Sequence, residues 1–418
     1  MNKMPMRRIC ETAEIQPATL YGKIRQIHAK SVAFSANYEK MFDKNLRVSR
    51  LYLAVDRQEY IFNWGTELDR RNTILLAIGS ADNSTGYVFG MHLDYDPELD
   101  AETVERDAIL RGDYDQFHHN RHYARVWLQR EHLEEFRVYD REKSRKGTLA
   151  QRIADGYNDS ESGNQAPIAS ANYRLPPQGI QIHAEYTMAA HFYYLNALTK
   201  NVDKIRFFLD QDTGMRTSCL GAFSDRIKDR SVDAFLVRIG KAYTTSKKML
   251  LKAKSGTAFT KARNECPSLN KTEIERLLMR NSIEQMQFIG ESRDRWLMHP
   301  FPDMSEPEKA VCYLTDFEDY DLDHLASLYR KASLHSIDRF FMQLRRRISI
   351  LERPFVSSSS NRTWYGYAAY NPAVAIQLME TFRVVYNFVL IGKDGLTPAM
   401  RLGIVDRPMT LGDLLGEA

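Results

Sequence analysis

Three strand-like segments in close succession constrain this chain more than any other feature. Leu46 to Trp64, broken by the polar Asp56-Arg-Gln-Glu, Thr73 to Ala81 and Tyr87 to Leu93 are rich in branched and aromatic residues, and the last two are joined by the turn Asp82-Asn-Ser-Thr-Gly. Short connections of this kind predict an antiparallel meander. From residue 182 the pattern changes to alternation: a helix over Ile182 to Thr199, a strand ending in Ile205-Arg-Phe-Phe-Leu-Asp, a helix over Met215 to Lys228 and a strand over Ala234 to Ile239. A meander followed by alternating helices and strands predicts an α/β fold with a mixed sheet.

Acids punctuate these elements. Asp56 closes the apolar run Leu51-Tyr-Leu-Ala-Val-Asp, Asp210 closes the strand from Ile205, and Asp338 opens the basic helix Ser336-Ile-Asp-Arg-Phe-Phe-Met-Gln-Leu-Arg-Arg-Arg. Two carboxylates at neighbouring strand ends and a third on a covering helix suit a pair of Mg²⁺ or Mn²⁺ ions, and hence phosphodiester chemistry. Ser336 is the expected N-cap, and Ile337, Phe340, Phe341, Leu344, Ile348 and Leu351 the expected buried side. Two alternates stay open. Asp212 shares a face with Asp210 if that strand continues, and Glu352 is a second acid after the basic helix. Glu352 and Asp338 are about 20 Å apart along a continuous helix, so both cannot serve one ion pair.

The chain of 418 residues is long enough for two or three domains, and its 43% hydrophobic and 27% charged residues are those of an ordinary globular protein. No run approaches the length of a membrane span, which predicts a cytoplasmic, nucleoid-associated protein. Cys10, Cys219, Cys266 and Cys312 are too scattered for a zinc motif and read as free thiols. His118 and His122 have metal-like spacing but no partner in sequence, and read as a polar helix face, while His183 and His191 read as core residues.

A net charge of +4 says little, but its distribution says more. A short helix over Met6 to Ala13, a turn, and a second helix opening on Pro17 make a helix-turn-helix pattern. Leu20, Ile24, Ile27, Phe34, Tyr38 and Met41 form its apolar side, while Thr19, Tyr21, Lys23, Arg25, Gln26 and Lys30 line the face expected to read DNA. A helical hairpin used only for packing is the alternative. The segment from 241 opens basic, and its Lys247 and Lys248, with Arg345 and Arg346 further on, are expected to contact phosphates.

The order of elements resembles the ribonuclease-H-like fold. The Asp338 block and the tail Tyr386-Asn387 through Gly392-Lys-Asp-Gly-Leu-Thr-Pro-Ala-Met-Arg-Leu-Gly-Ile resemble the DDE/DDD transposases of bacterial insertion sequences. That resemblance favours Asp338 over Glu352 as third metal ligand. It implies Mg-dependent cleavage and strand transfer on element ends and target DNA by a dimer or larger assembly. The long intervals between the acids imply insertions, and the cysteine zinc module of many relatives does not precede the helix-turn-helix here. The expected organisation is a helix-turn-helix domain at 1–45 and a ribonuclease-H-like core from 46–96, 182–240 and 334–395. Residues 97–181 are expected to be an insertion with a charged helix over Glu102 to Phe136 and a mobile loop over Arg141 to Gly179, 241–333 a basic helical insertion, and 396–418 a tail. Loss of metal chemistry would leave a catalytically silent DNA-binding regulator, and a nuclease acting on RNA hybrids is a third reading.

Overall fold

Residues with alternating direction build the centre of the sheet. In β1 (Arg50–Phe62), Tyr52, Ala54, Tyr60 and Phe62 enter one core and Leu51, Leu53 and Val55 the other. The strand is therefore buried on both faces, which is why its sequence reads as a nearly continuous apolar run. The computed structural model describes residues 3–43, 48–63, 71–134, 148–151, 153–154, 173–212, 214–240, 243–289, 294–356, 363–365 and 368–416. Most of the loop expected over 141–179 lies outside the described residues.

In chain order, α1 (Met6–Ala13) and α2 (Pro17–Glu39) precede β1, β2 (Thr73–Asp82) and β3 (Val88–Leu93). Next come β4 (Tyr95–Asp96), α3 (Ala101–Arg111), α4 (Gln129–Glu134), β5 (Ile180–Gln181) and α5 (Ala184–Leu198). They are followed by β6 (Lys204–Asp210), α6 (Met215–Ala222), α7 (Ser224–Lys228), β7 (Val232–Ile239), α8 (Thr245–Glu265) and α9 (Lys271–Glu284). The remainder comprises β8 (Gln287–Phe288), β9 (Arg295–Met298), β10 (Lys309–Tyr313), α10 (Leu322–Lys331), α11 (His335–Arg347), β11 (Phe355–Val356), β12 (Thr363–Trp364), α12 (Pro372–Phe388), α13 (Pro398–Arg401) and α14 (Leu411–Leu415). No helix among these is long and apolar enough to cross a membrane.

Eight strands form one mixed sheet in the order β3-β2-β1-β6-β7-β10-β9-β8. The meander β1-β2-β3 is antiparallel, and β6 and β7 join it in parallel through β1. Beyond β7 the direction reverses, since β10 and β9 are antiparallel. On one face Tyr329 of α10 packs edge-on against Phe235 of β7, and α11 lies over β1 and β2. The other face is closed by Met188, Phe192 and Leu195 of α5 and by Met215 and Cys219 of α6.

At β3 the sheet edge is sealed rather than left open. Asn387 of α12, wholly buried, accepts from the Val88 N–H at 2.9 Å and donates to the Val88 carbonyl at 2.8 Å. Arg383, one turn earlier, donates to the Val88 and Phe89 carbonyls and pairs with Glu380 and Glu39. Such plugging removes the unpaired edge that otherwise invites association. Helix α2 packs on α12 through Phe34 and Phe388, whose rings meet edge-on at 5.1 Å.

Four sequence expectations change. β1 does not break at Asp56 but runs on to Phe62, because Gln58, Tyr60 and Phe62 keep the inward alternation. The helix expected over Glu102 to Phe136 stops at Arg111, where Gly112 adopts φ 72° and turns the chain, and helix returns only in α4. The span 241–333, read as helical, supplies β8, β9 and β10 from short apolar runs, besides its helices. Ser336 is buried inside the first turn of α11, and Leu334 is the N-cap, its N–H donating to the Glu306 carboxylate.

Two substitutions test this packing. Asn387→Ala leaves the Val88 N–H unpaired and is expected to cost about 1–3 kcal/mol in urea unfolding. Gly79→Val places branches where a Cβ alone would already lie 2.8 Å from Ile337 Cδ1 and 3.1 Å from the Phe341 ring. A destabilisation of about 1–3 kcal/mol is expected there, measured the same way.

Candidate metal and nucleic-acid site

Parallel pairing of β1 with β6 aligns Val55 with Leu209, so the next residues along the two strands are Asp56 and Asp210. Neighbouring strands lie about 4.8 Å apart, and in-register parallel residues share a face. Both acids follow residues of the same core, Ala54 and Phe208, by two positions and emerge beside it. Asp56 is 6% exposed and its carboxylate accepts the Arg57 N–H at 2.7 Å, while Asp210 is half-buried.

Asp212 takes a different place. Its carboxylate pairs with Arg57, whose side chain leaves β1 on the face opposite Asp56. Burial works against the charge on Arg57, but Asp212 outweighs it and the guanidinium pKa is raised. The sequence put Asp212 on the Asp210 face by continuing the strand, and β6 ends at Asp210.

Asp338 is carried by α11 above this pair. Gly79 of β2 is the ladder partner of Asp56, and its missing side chain lets Ile337 and Phe341 press directly onto the strand. Phe340 turns the other way, stacking near Phe382 and Tyr386 of α12 at the β3 edge. At about 100° per residue, Asp338 and Arg345 fall on the flank nearly opposite Phe340, toward β1 and β6. Tyr60, four residues beyond Asp56 on the same face, feels the Arg345 charge, although burial dominates and pushes its hydroxyl far up. Burial pulls the Arg345 pKa down, Arg353 adds to this, and Tyr60, Glu352 and Asp338 oppose them.

Glu352 lies elsewhere. Helix α11 ends at Arg347 and a tight turn over Ser349–Leu351 follows, after which Glu352 pairs with Lys3 at 2.7 Å. Burial raises its pKa, but Lys3 outweighs burial and holds the carboxyl below its usual range.

The donor set at Asp56, Asp210 and Asp338 consists of carboxylates, the hard oxygen ligands that Mg²⁺ and Mn²⁺ take. Among the described residues, however, the three do not form a group with ligand atoms within 4.8 Å of one another; the group that does is His118, His183 and Glu185. His118, read with His122 as a polar helix face, lies instead in a 3₁₀ turn, where its ring meets that of His183 at 4.7 Å.

Three features of the acidic face escaped the sequence reading. Gln58, 5% exposed, has neither amide atom hydrogen-bonded, and the Tyr60 hydroxyl has no partner either. Both lie on the Asp56 side of β1, and period-two counting from Asp56 would have found them. Asp233, fully buried in β7, binds Lys204 at 3.1 Å, Arg206 at 3.3 Å and the Tyr313 hydroxyl at 3.0 Å. A lone acid inside Val232-Asp-Ala-Phe-Leu-Val was its signal, and its cations neutralise it at the opposite end of the strands. Asp94 lies instead by the Arg57 charge; it is buried, accepts from the Leu76 N–H and Gln181, and burial raises its pKa well above the usual range.

The cationic candidates are mostly solvent-facing. Thr19, Tyr21, Lys23, Arg25, Gln26 and Lys30 are all exposed on α2, opposite buried Leu20 and Ile24. Lys30 also donates to the Leu415 carbonyl at 2.5 Å, which ties α2 to the C-terminal helix. In α8, where Ala262 alone is buried, Lys247 sits over the Tyr243 ring and Lys248 reaches the Met304 carbonyl. Arg346 is exposed and Arg345 half-buried.

Compared with family models, curated proteins and solved structures, the chain matches none, so the site is read from its own residues.

Proposed function

We propose that this protein is a metal-dependent DNA strand-transfer enzyme of the transposase kind, built on a ribonuclease-H-like core. One observation carries the reading: Asp56 and Asp210 are consecutive in register at the parallel junction of a sheet whose first five positions run β3-β2-β1-β6-β7. An antiparallel meander joined to two parallel strands, with an acid on the central strand and another beside it, is the arrangement that the resemblance to DDE/DDD transposases implies. Asp338, on the flank of α11 facing that junction, supplies the third carboxylate.

Asp56, Asp210 and Asp338 would together hold Mg²⁺ or Mn²⁺. Such ions, when bound, activate a water or 3′-hydroxyl and stabilise the leaving oxygen. The chain's own part is to position the phosphodiester. Arg345, beside Asp338, and exposed Arg346 offer donors to phosphate oxygens on the approach to the acids. Gln58 and Tyr60 present unsatisfied polar atoms along the same strand. The exposed cations of α2 and α8 extend the contact surface for DNA ends and target, with paired ends calling for a dimer or larger assembly.

The alternative, a DNA-binding regulator without chemistry, keeps the same α2 surface and separates from the proposal in one assay. Nicking of supercoiled plasmid is measured with and without Mg²⁺ for the intact chain and for Asp56→Asn, Asp210→Asn, Asp338→Asn and Glu352→Gln. Expected is Mg-dependent nicking lowered at least about 100-fold, or ~2.7 kcal/mol, by each aspartate change, with Glu352→Gln near the intact level. Plasmid bound but left uncut by the intact chain in Mg²⁺ and Mn²⁺ supports the regulator. Loss with Glu352→Gln but not with Asp338→Asn reassigns the third ligand.

A further inference from the structure

A second constellation lies across the sheet from the acids, and the proposed strand transfer makes no use of it. His118 comes from a 3₁₀ turn, Glu131 from α4, His183 from the N-cap of α5 and Glu185 from its first turn. Ligand atoms of His118, His183 and Glu185 lie within 4.8 Å of one another. The side chains of His183 and Glu131 are 6% and 8% exposed. His118 Nε2 and Glu185 Oε2 are buried without a hydrogen-bond partner, while His183 Nε2 and Glu131 Oε2 are buried and face each other at 3.5 Å. Buried polar atoms left unsatisfied in one place are costly unless something not yet counted satisfies them.

We infer that His118, His183 and Glu185 form a binding site for a divalent transition-metal ion of the zinc type, with Glu131 orienting His183. Two imidazoles and a carboxylate are the borderline donor set that Zn²⁺ accepts, and they suit Mg²⁺ poorly. The geometry divides the roles. His183 Nδ1 lies 3.9 Å from a Glu185 oxygen, which leaves room for an ion between them, while His183 Nε2 faces Glu131 Oε2 at 3.5 Å. A metal-bound imidazole whose other nitrogen meets a carboxylate is the usual supporting arrangement. Glu131 is itself fixed, because Arg121 donates to its other oxygen at 2.8 Å. Trp127 stacks on the His183 ring with centroids 3.9 Å apart, and the His183 N–H donates to the Arg125 carbonyl at 2.9 Å.

An ion here joins the turn at 118, α4 and α5, and so staples the segment between the meander and β6 to the helix that closes one face of the sheet.

The test uses the full chain purified without a histidine tag, stripped by chelator and titrated with Zn²⁺ and with Co²⁺ as a visible-absorbing substitute. Expected are one equivalent bound, Co²⁺ bands characteristic of nitrogen and oxygen ligation, and a Tm raised by Zn²⁺ but not by equal Mg²⁺. His118→Ala and Glu185→Gln, each checked for native circular dichroism, should abolish the stoichiometric site, and Glu131→Gln should weaken it about 10–100-fold. Asp56→Asn should leave Zn²⁺ binding unchanged, which separates this site from the proposed DNA chemistry. Stoichiometric zinc retained by both His118→Ala and Glu185→Gln, or no stoichiometric binding and no zinc-dependent Tm in the intact chain, overturns the inference.

Discussion

The parallel register of β1 against β6 is the constraint on which the acidic site depends. With Val55 beside Leu209, the two following residues are both aspartates and both face the α11 side. A slip of one residue would send one of them to the α5 side, because strand side chains alternate with period two. What forbids the slip is burial on both faces. Leu53 and Val55 fill one core while Tyr52 and Ala54 fill the other, and Phe207 and Phe208 do the same in β6, so any shift drives large apolar groups into mismatched spaces. Placing the acids on buried strands thus gives them a position fixed by packing rather than by their own interactions.

The third acid depends on a different device, the absence of a side chain. Gly79 lies opposite Asp56, and only because it has no Cβ can Ile337 and Phe341 bring α11 down onto the ladder at that point. The helix is steered from its other side by Phe340 against Phe382 and Tyr386, which belong to the helix that plugs the β3 edge. The Tyr386-Asn387 pair in the tail therefore has a structural meaning: Tyr386 braces α11, and Asn387 completes the hydrogen bonds of Val88. Arg383 links this brace to the N-terminal helix through Glu39 and Ser35, a buried charge that Glu380 and Glu39 keep ionised against burial.

The parts of this architecture legible in the sequence are those where local pattern and burial coincide. The strands of the meander, β6, β7 and α11 each announce themselves by one period, and their acids were visible as interruptions of apolar runs. Asp56 nevertheless misled, since Asp56-Arg-Gln-Glu looks like a strand end, and only tertiary burial of Asp56 and Gln58 shows the strand passing through. Helix α8 had no bounds within the helical span 241–333 because a helix with Ala262 as its sole buried residue has almost no apolar stripe to count, and β8 to β10 are too short for period to separate from helix. His118 with His183 was invisible for a stronger reason: the two rings are far apart in sequence, and no local spacing encodes their contact.

The two constellations differ in a way that spacing along the chain could not express but donor chemistry does. Asp56, Asp210 and Asp338 offer oxygen alone and stand beside cationic Arg345, a setting that suits a hard ion bridging to phosphate. His118, His183 and Glu185 offer nitrogen and oxygen next to the stacked Trp127, with a carboxylate behind the ligating ring, a setting that suits a borderline ion held for structure. Because α5, which carries Glu185, covers the face opposite α11, the sheet lies between the two sets. On the two proposals, hard oxygen donors at one place and mixed nitrogen and oxygen donors at the other would select different ions by ligand type.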